Sequence, residues 1–148
     1  MEESLDFLSA VKQTFDCKSQ DVRTYSPLTL AYIGDAVYEL VIRSVVVERA
    51  NRSNNELHKK TVKYVKAEAQ SAMIRALEEE KRLSDEEEEI FKRGRNAKSN
   101  SAAKNASLAD YKRATGFEAL MGYLYLTGQN ARMLELIHCG IEMAGFRI

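Results

Sequence analysis

Along most of the chain apolar residues return every three or four positions, which sets them on one face of an α-helix rather than on alternate sides of a strand. Ser26-Pro27 is a start signal, with serine as N-cap and proline at the first helical position, where its missing N–H is harmless. A helix from about Pro27 to Glu48 follows. Ser53 and Glu56 have capping-box spacing and open a second long helical segment running to about Leu83, with Leu57, Tyr64, Ala72 and Ala76 near one face. Ser84 and Glu87 repeat the device. The short helix they open carries acids in its first turn and Lys92, Arg93 and Arg95 near its end, as the helix dipole favours. Asn96 to Ser107 is small, polar and basic without periodicity and reads as an exposed loop. Helical pattern returns from about Leu108 to Leu126, stops at Thr127-Gly128, and resumes from about Ala131 to Ala144. A short helix around Ser4 to Thr14 precedes them all. No segment alternates like a strand, so the predicted fold class is all-α, a single domain over residues 1–148.

Composition changes this picture little. A hydrophobic fraction of 45%, a charged fraction of 30%, one proline and no tryptophan describe an ordinary globular chain. The N-terminus, MEESLDFL, is acidic and lacks a basic region followed by an apolar core, and no apolar run approaches the length of a bilayer. A cytoplasmic protein without a membrane partner is expected. Cys17 and Cys139 lie far apart without CxxC spacing, so they are expected to be reduced, structural thiols rather than metal ligands. His58 and His138 lack an orienting partner in sequence and read as packing or surface residues. Tyr123 and Tyr125 sit in an apolar run, as core or interface residues do.

The net charge of zero hides a division. Residues 78–90 hold eight acids and two bases, whereas residues 91–113 hold seven bases and one acid. One region repels phosphate and the next attracts it.

Two isolated acids carry the candidate chemistry. In LAYIGDAVYEL, residues 30–40, Asp35 interrupts the apolar stripe of a helix, and an unpaired buried carboxylate is expensive. Glu39 lies one turn on, and two such acids repel unless one is protonated or a cation sits nearby. The alternative is an exposed pair on a solvated edge. ATGFEALMGYLYL, residues 114–126, repeats the theme, with Glu118 between Gly116 and Gly122. Glycine costs a helix interior about 1 kcal/mol relative to alanine, so Gly34, Gly116 and Gly122 need a reason, and close helix approach supplies one. Such a crossing brings Asp35 and Glu118 to a common point that a magnesium ion would bridge. Magnesium takes hard oxygen ligands and keeps several waters, so two carboxylates suffice where a substrate phosphate completes the shell. That arrangement suits phosphodiester hydrolysis.

LAYIGDAVYEL together with GFEALMGYLYL resembles the ribonuclease III family, whose signature helix carries leucine-glycine-aspartate-alanine and whose later helix carries phenylalanine-glutamate-alanine-leucine. More narrowly, LAYIGDAVYELVIR, RGRNAK and YKRATGFEALMGYLYL occur in the order expected of the Mini-ribonuclease III subfamily, and the sequence leaves no room for the double-stranded-RNA-binding domain of larger members. The resemblance implies a homodimeric, all-helical, magnesium-dependent endonuclease acting on double-stranded RNA. Each protomer's site is expected to cut one strand, leaving 5′-phosphate and 3′-hydroxyl ends and short 3′ overhangs. Precursor large-subunit ribosomal RNA is the expected substrate, and a large-subunit ribosomal protein is a candidate accessory partner. Carried over by position, Asp35 matches the principal catalytic aspartate and Glu118 the metal-binding glutamate. Ala31 and Thr115 stand where larger members have further acids, which halves the usual acidic cluster and leaves the number of ions open. Thr115 is a candidate for orienting a metal-bound water. Asp110 imitates a missing acid but lies eight residues before Glu118 and is not assigned as a ligand.

Double-stranded RNA is read mainly by shape, through phosphates and 2′-hydroxyls. Lys92, Arg93, Arg95, Lys98 and Lys104 make the segment before the Glu118 helix the candidate RNA contact. A second stripe, Lys59, Lys63, Lys66 and Gln70, falls on one helical face by spacing and is expected to be solvent-exposed. The competing reading is a non-catalytic RNA-binding or ribosome-associated module that keeps the fold, because loss at positions 31 and 115 is what decay toward a scaffold looks like. Retention of both Asp35 and Glu118 favours the enzyme.

Overall fold

The computed structural model describes residues 7–98 and 107–148. Among them the chain forms α1 (Phe7–Thr14), a 3-10 turn (Val22–Thr24), α2 (Pro27–Arg49), α3 (Asn54–Val65), α4 (Ala67–Glu79), α5 (Asp85–Arg95), α6 (Leu108–Leu126) and α7 (Asn130–Met143). The all-α expectation is met, and no strand occurs among the described residues.

Predicted caps set most boundaries. Ser26 Oγ accepts from the Thr29 N–H ahead of Pro27, and Ser53 Oγ accepts from the Glu56 N–H at the start of α3. Ser107, read from sequence only as the end of a loop, caps α6 by accepting from the Asp110 N–H. Ser84 and Glu87 form a reciprocal capping box. Glu87 is buried there, yet its carboxylate receives Arg132 Nε at 2.9 Å and Nη2 at 2.8 Å. This fork, aided by Arg132 Nη2 donating to Arg82 O at 2.7 Å, ties the start of α5 to α7 and holds the Glu87 pKa below the usual carboxylate range.

The segment expected to run from Ser53 to about Leu83 breaks at Lys66, whose backbone is extended at ψ 155°. No proline or glycine marks the break. What ends α3 is long-range: its orphan carbonyls find side-chain donors, Tyr38 Oη to Tyr64 O at 2.7 Å and Gln70 Nε2 to Val65 O at 2.8 Å. The break also takes Gln70 off the predicted lysine stripe and into the core, where it is 2% exposed.

α2 and α6 form the centre. Tyr38 and Ile42 of α2, Phe117, Leu120, Met121 and Leu124 of α6, Met73, Ile74 and Leu77 of α4, and Phe91 of α5 are buried together, with Tyr38 and Phe117 meeting edge to face at 5.1 Å. Gly34 and Gly122 set the α2–α6 spacing reciprocally. A Cβ on Gly34 would lie 1.7 Å from Glu118 O, and one on Gly122 would lie 2.0 Å from Leu30 O. Each glycine thus rests on the carbonyl of the residue four before its counterpart, the approach of a Cα–H···O contact between helices. Gly116 does not serve this crossing, as the sequence had suggested. It faces Phe91 and Gly94 and lets α5 close on α6 instead.

Candidate functional site

The glycine crossing carries two acids with it. Asp35 follows Gly34 directly, Glu118 is the residue whose carbonyl Gly34 meets, and both line one cleft of about 470 Å³. Leu28, Ala31, Tyr32, Tyr111 and Thr115 complete its walls. The burial expected of Asp35 falls on Glu118: Asp35 is exposed at the mouth and Glu118 is half-buried behind it.

Burial pushes the Glu118 pKa up to about 8, and the neighbouring Asp35 carboxylate adds to the rise. Gln70 acts in the other direction, with Nε2 donating to Glu118 Oε2 at 3.2 Å. The same amide nitrogen bonds Val65 O, so the α3–α4 break and the orientation of Glu118 share one side chain. Gln70 Oε1 is buried and accepts no hydrogen bond within the protein. Thr115 Oγ1 donates to Tyr111 O at 3.1 Å, which leaves its lone pairs to accept from a water in the cleft.

Two adjoining carboxylates, one of which resists ionisation beside the other, fit a divalent cation that neutralises both. Their donors are hard oxygens, and no third acid, histidine or cysteine joins them among the described residues. That count suits magnesium with waters and a phosphate oxygen better than an all-protein cage. It does not suit zinc.

The family profile described as Ribonuclease III domain matches residues 28–129, which contain both acids. The chain belongs to the ribonuclease III family. Membership gives the coarse activity, endoribonucleolytic cleavage of RNA. The chain is 52% identical over 126 residues to the Mini-ribonuclease 3 of Clostridium tetani, covering 84% of this chain and 82% of that one. It is 46% identical to the Mini-ribonuclease 3 of Enterococcus faecalis, covering 85% and 96%. A crystal structure of a Fusobacterium nucleatum protein superposes with a TM-score of 0.74 at 31% identity, covering 84% of this chain and 98% of that one.

In this ribonuclease III domain the predicted basic segment divides. Lys92 and Arg93 are exposed on the side of α5 that also carries Asp85, Glu86, Glu88 and Glu89, so acids of the same helix offset them. Arg95 turns the other way. It lies over the Phe91 ring at 5.5 Å and shares a small hollow with Lys112, Tyr111 and Thr115, the last two of which also wall the acidic cleft. Lys98 is exposed past the end of α5, and Lys104 lies outside the described residues. Lys112 was not predicted, although its place three residues before Thr115 puts it on that face. Asp110 is engaged elsewhere, accepting from Ser71 Oγ at 2.7 Å and pairing with Arg113 at 3.6 Å. Glu39 is likewise taken, by Arg43 Nε at 2.7 Å. Cys17 and Cys139 are free thiols, and Cys17 is exposed rather than structural. No helix among the described residues is long and apolar enough to cross a membrane.

Proposed function

We propose that this chain is a magnesium-dependent endoribonuclease that cuts double-stranded RNA, with precursor large-subunit ribosomal RNA in the cytoplasm as its substrate. The observation that carries the reading is the meeting of Asp35 and Glu118 in one cleft, on a chain whose relatives are named Mini-ribonuclease 3. The two carboxylates would hold the magnesium. When bound it supplies a nucleophilic water at neutral pH and charge neutralisation on the scissile phosphate. Asp35, exposed, faces the incoming RNA, and Gln70 fixes the rotamer of Glu118. Thr115 offers an acceptor to an ordered water, and Arg95 and Lys112 place positive charge beside the cleft for a flanking phosphate.

A homodimer goes with this reading. Leu28, Tyr32 and Leu40 lie along α2 at four- and eight-residue spacings and are 39%, 84% and 60% exposed, an apolar row that a second copy would cover. Tyr32 borders the cleft, so that pairing sets two sites near each other, one for each strand. The expected products are 5′-phosphate and 3′-hydroxyl ends, and a large-subunit ribosomal protein would act by presenting the precursor.

The test incubates a labelled RNA duplex and a ribosomal RNA precursor with wild type, Asp35→Asn and Glu118→Gln, in magnesium and in chelator, with binding followed in parallel. Wild type should cut only with magnesium, and each variant should lose at least about 100-fold in rate while retaining duplex affinity. Binding without cleavage by wild type on both RNAs would refute the enzyme and leave the RNA-binding module that Ala31 and Thr115 suggest.

A further inference from the structure

Eleven residues beyond Asp35, about 16 Å along the axis of α2, Val46 floors a second pocket. α2, α3 and the residues after α7 enclose about 180 Å³ there. Val46, Ala50 and Tyr64 make apolar walls, and Arg49, Arg52, Lys60, Lys63 and Arg147 make the rim. No acidic side chain lines it; Ile148 also lines it, and its carboxylate engages Arg49, which leaves four cations of the rim without an anion. Arg49 Nη1 donates to Ile148 O at 2.7 Å, but Arg52, Lys60, Lys63 and Arg147 form no ion pair among the described residues. The whole molecule is neutral, so this concentration is local and not a by-product of general basicity.

Unpaired like charges one helical turn apart, Lys60 and Lys63, cost stability unless an anion joins them. The apolar floor strengthens the field that such an anion would feel. The space far exceeds the roughly 10–15 Å³ that holds one water, and guanidinium and ammonium groups together match a multiply charged oxyanion. Proximity favours one source of that anion. The pocket lies about 16 Å along α2 from the acidic cleft, a separation that a duplex bound at the cleft can span.

We propose that this pocket binds a phosphate group, that of the backbone of the duplex held at the Asp35–Glu118 cleft. The duplex source rests on the function proposed above; the phosphate site itself does not. The experiment compares full-length wild type with Lys60→Ala/Lys63→Ala and with Lys60→Arg/Lys63→Arg. These side chains are exposed, and the arginine variant controls for loss of charge. Duplex affinity is measured against salt in chelator, and isotope-labelled protein is titrated with inorganic pyrophosphate while amide resonances are followed. The expected result is a log–log salt slope shallower by about 1 for the alanine variant alone. Amide shifts around Lys60, Lys63 and Arg147 should accompany pyrophosphate in wild type and vanish in the alanine variant. No shifts and an unchanged slope would overturn the proposal. Shifts with an unchanged slope would overturn the duplex source and leave a site for free phosphate. If wild type binds no duplex, the nuclease reading fails while the pyrophosphate titration still decides the pocket.

Discussion

Gly34→Ala adds one methyl group where the structure leaves no room for it. The new Cβ would lie 1.7 Å from Glu118 O and 2.7 Å from Gly122 N, both backbone atoms that no rotamer change can move. A close carbon–oxygen contact needs about 3.3 Å, so α2 and α6 must part by about 1.6 Å at their crossing. Overpacking of this kind costs about 1–3 kcal/mol, and the collision with backbone puts it at the upper end. The better helix propensity of alanine returns about 1 kcal/mol. A net loss of about 2 kcal/mol lowers the melting temperature by roughly 4–8 °C in a domain of this size. Activity should fall further than stability. The displaced groups are Asp35 and Glu118, and a misplacement near 1 Å costs about 100-fold in rate. The assay pairs thermal unfolding with single-turnover cleavage of a duplex well below the transition. Ser44→Gly, exposed on the same helix, weakens α2 without moving the crossing and separates lost stability from lost geometry. Wild-type melting and wild-type cleavage in Gly34→Ala would refute the glycine crossing as the device that joins the two acids.

Other perturbations follow from the same contacts. Because the folded state raises Glu118 to about 8, its proton binds more tightly folded than unfolded; in chelator, the Glu118 contribution to stability should be fully present below about pH 4.5 and be lost as pH rises through 8, a slope that Glu118→Gln should remove. Magnesium should therefore raise the melting temperature more at pH 8 than at pH 5.5, and an equal shift at both would argue against Glu118 as a ligand. Gln70→Leu leaves Val65 O and Glu118 without their shared donor; a loss of about 1–2 kcal/mol and a weaker magnesium dependence of cleavage are expected, read by chemical denaturation and metal titration. Arg132→Ala should cost about 2 kcal/mol at pH 7 by unpairing the buried Glu87. Since the folded state lowers the Glu87 pKa, that contribution is present above the unfolded value and lost as pH falls, so wild type and variant should converge in acid.

What was legible in the sequence was what local chemistry dictates. Ser26-Pro27, Ser53 and Ser84 with Glu87 fix helix starts because a cap acts within three residues, and α6 runs over the predicted Leu108–Leu126. The crossing of α2 and α6 was legible in outline, because glycine inside an apolar helix has few uses. Which glycine served which neighbour was not, since Gly116 and Gly122 differ only in what packs on them. The break at Lys66 was invisible because its causes, Tyr38 and Gln70, act through tertiary contacts on a segment with good helical propensity throughout. Gln70 was misplaced for the same reason: an unbroken helix would have put it on the lysine stripe.

That misplacement shows how the fold and the candidate site are coupled. A helix that ran straight from Ser53 to Leu83 would keep its own carbonyls bonded and leave Glu118 facing apolar side chains. Ending α3 at Val65 frees two carbonyls, and the donors that answer them are a tyrosine from α2 and a glutamine from α4. The glutamine's remaining hydrogen then reaches the half-buried carboxylate of the cleft. The glycine crossing brings that carboxylate to Asp35, and the α3–α4 break orients it. A carboxylate so held has lost part of its hydration but not its freedom to lose a proton, and a cation at Asp35 would drive that loss. With Ala31 and Thr115 where the resemblance expects acids, Asp35 and Glu118 as the proposed ligands would have no redundant partner among the described residues, so the two backbone devices would fix their approach.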